Sequence, residues 1–563
     1  MTSQLLLTSV TVALGAGALL AFGPRARARD LPERAIVAFL PLLGVLMVSL
    51  SLDFILTSPA SPWNDLRLAP AAALARGYGL YYLPGEGPML GHIYGPVAPL
   101  VYLPAVIFPT PSAAIRAGVI LSLFLYLIPV TLMLWNHAGG RPAVAAGCAA
   151  LFALFAIRSP VVNELAFRVH VDAPAIAFAA LACIPLMDPR RRTQAPWLVT
   201  SAISIVLAVG SKQVVLPVVF ALPTYLWLAD GRRAMLRYIS LLGVFGLIAA
   251  SIIFVTTDVP AMLYQTLVVP SEHPWRYDDG VFVFGQTLRD LAPRAFVFVL
   301  IIAAYGFLRF KGEGESRSVR RWVAENPWLV PVFVGLFCLP TSILGRMKVG
   351  GSMTALAYTN YFFFLGALLA ILHAANENRR FGRFAASRIC AVLVLVSLGV
   401  VVAWSAPRLD RLPAIVADLS RNSEASGYAF VRDHPGQVYL PHNPLITLMA
   451  EDRAYHLLLP MLTGQYMAYA AADADLAATD ADDMAFRAHL PDDLRYVLDR
   501  VSGWTPMTRR RMQSGSEVYV RRYLSGFRYM IPIAPGWQAL VTEGDVDPSG
   551  VPLAVTQQKA HTP

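Results

Sequence analysis

The residues of this 563-residue chain that could do chemistry sit at the ends of apolar runs. Asp53 closes one run in SerLeuAspPheIle, and Asp65 follows in ProTrpAsnAspLeuArg, ahead of an Ala-rich stretch that runs to Gly77, Tyr78, Tyr81 and Tyr82. A carboxylate in such a place can take a proton from a hydroxyl. Asp65 equally suits the N-cap of a helix over 66–76 that Gly77 would end, and Asp53 equally suits a buried partner for an arginine.

Lysine is rare, with only Lys212, Lys311, Lys348 and Lys559, so Lys212 in GlySerLysGln and Lys348 in GlyArgMetLysValGlyGly stand out. Together with Arg346, Arg158 and Arg168 they could bind an anion near a headgroup plane, or else anchor helix ends by snorkelling. ArgValHisValAspAlaPro at 168–174 sets His170 and Asp172 before a helix, where they suit contacts to hydroxyls; Asp172 also suits a cap. Glu272 and His273 in SerGluHisProTrp read as part of a gate or sugar site, against a plain solvated loop.

Composition says what must position these groups. The chain is 56% hydrophobic and 15% charged, with a mean hydropathy of +0.54, which is the profile of a polytopic membrane protein. Apolar runs of about 17 to 25 residues span a hydrocarbon core, and in lipid such runs must be helices. The expected spans are 5–22, 36–52, 115–135, 142–157, 173–187, 196–210, 214–229, 238–255, 294–309, 328–344, 357–373 and 389–405, twelve in all. The pair meeting at Gly210 could also be one broken helix.

The net charge of +10 falls in short arginine clusters between these runs, which argues for topology signals rather than nucleic-acid binding. No basic residue precedes 5–22, and Arg25, Arg27, Arg29 and Arg34 follow it, so a retained helix with its N-terminus outside is expected. The clusters at 190–192, 232–237, 309–321 and 379–388 then all fall on the cytoplasmic side. Outside lie the loops 53–114, 158–172, 256–293 and 345–356, the corner at Lys212, and everything after about 406. The expected organisation is an extra helix with a basic loop (1–35), a transmembrane body (36–405) with a long first loop (53–114), and an external mixed α/β domain (406–563) with a polar tail.

The first loop continues GlyHisIleTyrGlyProVal at 91–97, carrying His92 and Tyr94, and LeuValTyrLeuPro at 100–104. An acid, a small-residue helix, a glycine, a Leu-Tyr, then Tyr-Gly-Pro leading into Leu-x-x-x-Pro resembles the GT-C glycosyltransferases. These include the aminoarabinose transferase and protein O-mannosyltransferase relatives (glycosyltransferase family 39) and the polyprenyl-phosphate mannosyltransferases. AlaValGlySerLysGln at 208–213 is similar to that group's small-residue stretch ending in a lysine. The group's frequent Asp-Glu is here Asn64-Asp65, and its Tyr-Pro-Pro is Tyr94-Gly95-Pro96.

The resemblance implies a GT-C-like body in a bacterial inner membrane, a polyprenyl-phosphate sugar donor, and an acceptor glycan, lipid or protein on the extracytoplasmic face. It makes Asp65 the general base, with Asp53 as competitor. Lys212, Arg346, Lys348 and Arg168 are the candidates for donor phosphate; His92, Tyr94, His170, Asp172, Glu272 and His273 are those for acceptor or sugar. No cofactor is expected, and a divalent cation stays open.

Other functions fit parts of the sequence. A transporter or lipid-linked sugar flippase would place ionisable groups at the midplane of interrupted helices, whereas here the spans are almost free of charge. A GT-C-like polysaccharide ligase or polymerase and a noncatalytic scaffold are further alternatives. Asp473, Asp475, Asp480, Asp482 and Asp483 imitate the acid pairs of nucleotide-sugar enzymes, but their alanine-rich setting reads as a solvated segment. Cys148, Cys183, Cys338 and Cys390 lie in apolar runs without metal-ligand spacing, which argues against a zinc site or a disulfide framework.

Overall fold

The computed structural model describes residues 16–17, 31–83, 86–88, 90–271, 275, 284–288, 319–348, 353–376, 380–409, 411–457, 487–500, 529–534 and 537–541. In chain order the first helices are α1 (Leu31–Thr57), α2 (Pro62–Ala75), α3 (Val97–Tyr102), α4 (Pro111–Asn136), α5 (Pro142–Arg158), α6 (Pro160–Ala166), α7 (Asp172–Met187), α8 (Ala195–Ser211), α9 (Val218–Asp230) and α10 (Arg232–Thr256). After short helical pieces at Val259–Leu263 and Val269–Ser271 come α11 (Val319–Glu325), α12 (Leu329–Met347), α13 (Ala357–Asn376), α14 (Arg380–Leu409), α15 (Leu412–Ala417), α16 (Ser423–Asp433) and α17 (Pro444–Glu451). The strands are β1 (Val438–Tyr439), β2 (Tyr496–Arg500), β3 (Tyr529–Ala534) and β4 (Trp537–Val541).

Among the described residues, six helices are long and apolar enough to cross a membrane: Leu31–Ala60, Pro111–Asn136, Gln213–Asp230, Arg232–Thr256, Leu329–Met347 and Met353–Asn376. Pro142–Ile157, Asp172–Met187, Ala195–Ser211 and Ala386–Gly399 are shorter apolar helices. Among the described residues, ten of the twelve expected spans coincide with a helix. Of the other two, 294–309 lies outside the described residues, as does 5–22 apart from residues 16–17. Near Gly210 the chain forms two helices: α8 stops at Ser211, Lys212 is extended, and a single 3-10 turn at Gln213–Val215 precedes α9. The chain is thus a polytopic helical membrane protein, with α10 showing most clearly what surrounds it. Leu247, Ile248, Ile252, Phe254 and Val255 of that helix are exposed, an apolar face that lipid would cover.

By internal contact the chain divides into two compact units. The first comprises Met1–Leu56, Val119–Ile252 and Trp275–Ala417. At its centre α13 is mostly buried, packed on α12, α14 and α5, with Tyr361 edge-on to both Tyr126 and Phe152. α7 and α8 form a close antiparallel pair, because α7 presents mainly alanine (Ala173, Ala175, Ala177, Ala179, Ala180, Ala182) and lets the two backbones approach. Ser201 of α8 secures the pair by donating to the Ala182 carbonyl at 2.8 Å.

This unit also buries charge in pairs. Arg192, expected as one of a cluster of topology signals on the cytoplasmic side, is 3% exposed. Its guanidinium lies 2.7 Å from Asp230 Oδ2 and also donates to Asp230 Oδ1 at 3.0 Å, the Tyr225 hydroxyl at 3.3 Å and the Ala324 carbonyl at 3.1 Å, so it joins α9 to α11. Glu33 and Arg141 form a second buried pair.

The second unit comprises Thr57–Gly118, Ile253–Pro274 and Asp418–Pro563, so the first loop and the C-terminal segment belong to one compact body. Its sheet runs in the order β1-β2-β4-β3, with β1 parallel to β2 and the other pairs antiparallel. Val431 of α16 and Ile446 of α17 pack against Val438, Leu440, Leu498 and Val541 to form its core.

Removing one member of a buried ion pair leaves the other's desolvation uncompensated, whereas removing both does not. Arg192→Met should therefore cost about 3 kcal/mol of stability in detergent, with most of it recovered in Arg192→Met/Asp230→Leu. Thermal and denaturant unfolding of the four members of that cycle measure this, and an additive result would remove the pairing account.

Candidate functional site

Asp65 lies in the first turn of α2 rather than at its cap. The helix begins at Pro62, a residue suited to that position because its missing N–H would have no partner there, and Ser61 is the N-cap. The capping alternative for Asp65 is thereby overturned. The C-terminus is as expected: Gly77 adopts φ +83°, Gly77 N–H donates to Leu74 O at 3.1 Å and Tyr78 N–H to Ala73 O at 3.0 Å, the paired bonds of a Schellman motif. Ala69, Ala71, Ala72 and Ala73 are buried, so α2 is a packed element.

The partner of α2 is α17. Asp65 is fully buried, and its Oδ1 accepts from the backbone N–H of Leu445 at 3.1 Å, at the start of α17. At the other end Arg76 Nε donates to Asp452 Oδ1 at 2.8 Å, and Tyr78 OH bonds the Asp452 carbonyl at 3.1 Å while accepting from Ala454 N–H at 3.2 Å. Start meets start and end meets end, so the two helices run parallel and are tied twice.

In the first unit, a separate cluster forms around Asp172, the first residue of α7. Asp172 is fully buried and makes no cap bond; the capping expectation fails here too. Lys212 Nζ lies 2.6 Å from Asp172 Oδ1, His170 Nδ1 lies 3.0 Å from Oδ2, and the Tyr358 hydroxyl donates to Oδ1. Lys212, expected as a phosphate ligand or an outward anchor, has its charge offset by Asp172. The extended backbone after Ser211 is what turns its side chain to that acid.

Asp53 holds Arg411 through two bonds, Nε to Oδ1 at 2.8 Å and a terminal nitrogen to Oδ2 at 2.7 Å. Of its two readings, second acid and arginine partner, the structure has the second: both carboxylate oxygens are engaged by a guanidinium. Arg168 is 3.3 Å from Glu164, one turn earlier. Lys348 sits over the Trp275 ring, 4.9 Å from its centroid, and its backbone bridges that of Trp275. Arg346 is in the last turn of α12. Glu272, His273 and the acidic run at 473–483 lie outside the described residues.

His92 is buried in the first loop, its ring 5.6 Å from that of Tyr81 and 6.2 Å from that of Tyr94. Its Nε2 donates to Gly95 O at 3.3 Å, and Tyr81 OH donates to Tyr94 O at 2.7 Å. Burial pushes the imidazole down to about 4, with the Gly95 carbonyl opposing in part, so the ring is neutral near pH 7. Burial also holds the Tyr81 phenol well above its usual value. His92 and Tyr94 thus shape the loop around Gly95.

Sequence reasoning missed Tyr358, Arg411 and the Asn443-Pro444-Leu445 turn. Tyr358 had a faint signal as one of the polar residues, with Thr359 and Asn360, that open the span at 357–373. A backbone amide such as that of Leu445 leaves no signal in residue type at all.

No family model matches the chain, and no curated protein does. Among solved structures the chain is similar to ArnT from Cupriavidus metallidurans in the apo state, at 12% identity and a TM-score of 0.48, over 88% of this chain and 97% of that one. It is likewise similar to the same protein bound to undecaprenyl phosphate, at 13% identity and a TM-score of 0.48, over 91% and 98% of the respective chains.

Because the His92 value falls from about 6.5 unfolded to about 4 folded, the unfolded chain binds more protons in that window. His92 therefore contributes stability that is present above pH 6.5 and lost as pH falls toward 4, by at most about 3 kcal/mol. Unfolding of His92→Gln across pH 7 to 4 should show a flatter acid decline than wild type; equal slopes would contradict the burial account.

Proposed function

We propose that this chain is an integral membrane glycosyltransferase. It moves a sugar from a polyprenyl-phosphate donor to an acceptor hydroxyl on the extracytoplasmic face, with Asp65 as general base. The observation that carries the reading is the setting of Asp65: a fully buried carboxylate in the first-loop unit, held by a backbone amide at 3.1 Å. Burying an acid is costly, and an acid oriented in this way suits proton transfer. Asp53, engaged on both oxygens by Arg411, does not suit it.

In the proposed step the acceptor oxygen attacks the anomeric carbon as Asp65 takes its proton. The bond from that carbon to the phosphate oxygen breaks, and polyprenyl phosphate leaves with the electron pair. A phosphate leaving group needs cationic stabilisation rather than a proton. Arg346 and Lys348 are the proposed cations; Arg168 and Lys212 are the weaker candidates because Glu164 and Asp172 already offset them.

The test is transfer of radiolabelled sugar from a panel of synthetic polyprenyl-phosphate hexoses and pentoses in membranes containing wild type or Asp65→Asn. Asparagine keeps an acceptor for the Leu445 amide, so the variant should fold while transfer drops about a hundredfold or more. Full activity in Asp65→Asn would remove the base. Wild type consuming no donor would remove the transferase.

A further inference from the structure

We propose that the turn at Asn443-Pro444-Leu445, deep in the C-terminal segment, is a positioning element for Asp65; this rests on the reading of Asp65 as base. The first amides of a helix have no acceptor within the helix. At the start of α17 the usual remedy is absent, since Asn443 is the N-cap but makes no side-chain cap bond, and Pro444 has no N–H to satisfy. The Leu445 amide is the first donor of the helix, and it is Asp65, 380 residues earlier in the chain, that accepts from it.

That amide is not free to drift. Pro444, Leu445, Ile446, Thr447 and Leu448 are buried, and Ile446 packs into the core of the sheet beside Val438, Leu498 and Val541. The Arg76 to Asp452 pair and the Tyr78 hydroxyl tie the far ends of α2 and α17, which stops either helix from sliding along the other. The sheet holds α17, α17 holds the amide, and the amide fixes which oxygen of Asp65 is committed and how the carboxylate plane turns. An N–H donated to a carboxylate also favours its ionised form. Base orientation and base charge therefore both depend on the C-terminal segment.

Leu445→Pro removes the N–H while keeping a residue that the first turn of a helix accepts. Replacing Leu445 with 2-hydroxy-4-methylpentanoic acid gives a backbone ester that removes the same N–H and keeps the side chain, so one variant remains informative where the other fails to fold. Leu445→Ala loses side-chain packing but keeps the amide. The readout is the pH dependence of transfer from whichever synthetic polyprenyl-phosphate sugar wild type consumes.

The expected result is that the acidic limb moves up by about one pH unit in the proline and ester proteins and stays in place in the alanine protein. Their kcat should also fall about tenfold, with the donor KM little changed. An unmoved limb in both amide-deleted proteins, alongside an inactive Asp65→Asn, overturns the positioning role and leaves the base standing. An active Asp65→Asn, or no donor consumed by wild type, overturns both.

Discussion

A charge taken out of water inside an apolar helical body has to bring a partner with it, and that requirement decides where this chain puts its ionisable side chains. Lys212 meets Asp172 at 2.6 Å, Arg411 meets Asp53 at 2.7 Å, and Arg192 meets Asp230 at 2.7 Å. Each pair joins chain segments that the apolar runs alone would leave to slide against one another, since lipid-like side chains pack without much directional preference. The pairs work as pins, and their cost in desolvation is offset only because the geometry is close.

The same requirement explains which parts of the molecule could be read from the chain. Runs of apolar residues mark spans by length alone, and α4, α5, α7, α8, α10 and α13 fall where the runs are. Gly77 ends α2 because the positive φ of the Schellman motif is local chemistry. Asp65 and Asp172 were each legible as acids near a helix start, and local logic made each a cap. Neither is one, because each is satisfied by a distant group: Leu445 lies 380 residues from Asp65, and Tyr358 lies 186 residues from Asp172.

Arginine shows where local and tertiary signals part. A cluster such as Arg190, Arg191 and Arg192 is legible as a topology signal, but nothing in it tells the three apart. Arg191 stacks over Trp197, while Arg192 turns inward to Asp230. The difference comes from the ends of α9 and α11, which supply an acid, a hydroxyl and a carbonyl to one residue of the three. Asp53 and Arg411 follow the same rule: the arginine comes shortly after a span, but its partner ends another span 358 residues earlier.

The contrast between Asp53 and Asp65 bears on what a buried acid can be used for. A guanidinium bonded to both oxygens holds a carboxylate firmly, and in doing so it occupies both of the oxygens that could accept a proton. The backbone amide that Asp65 accepts from bonds one oxygen and carries no formal charge of its own. A site that needs its acid both fixed and able to accept a proton is better served by the second arrangement. The constraint then falls on the backbone that carries the amide, which must itself be rigid. In this chain that backbone is the first turn of α17, braced by proline on one side and by the core of the sheet on the other.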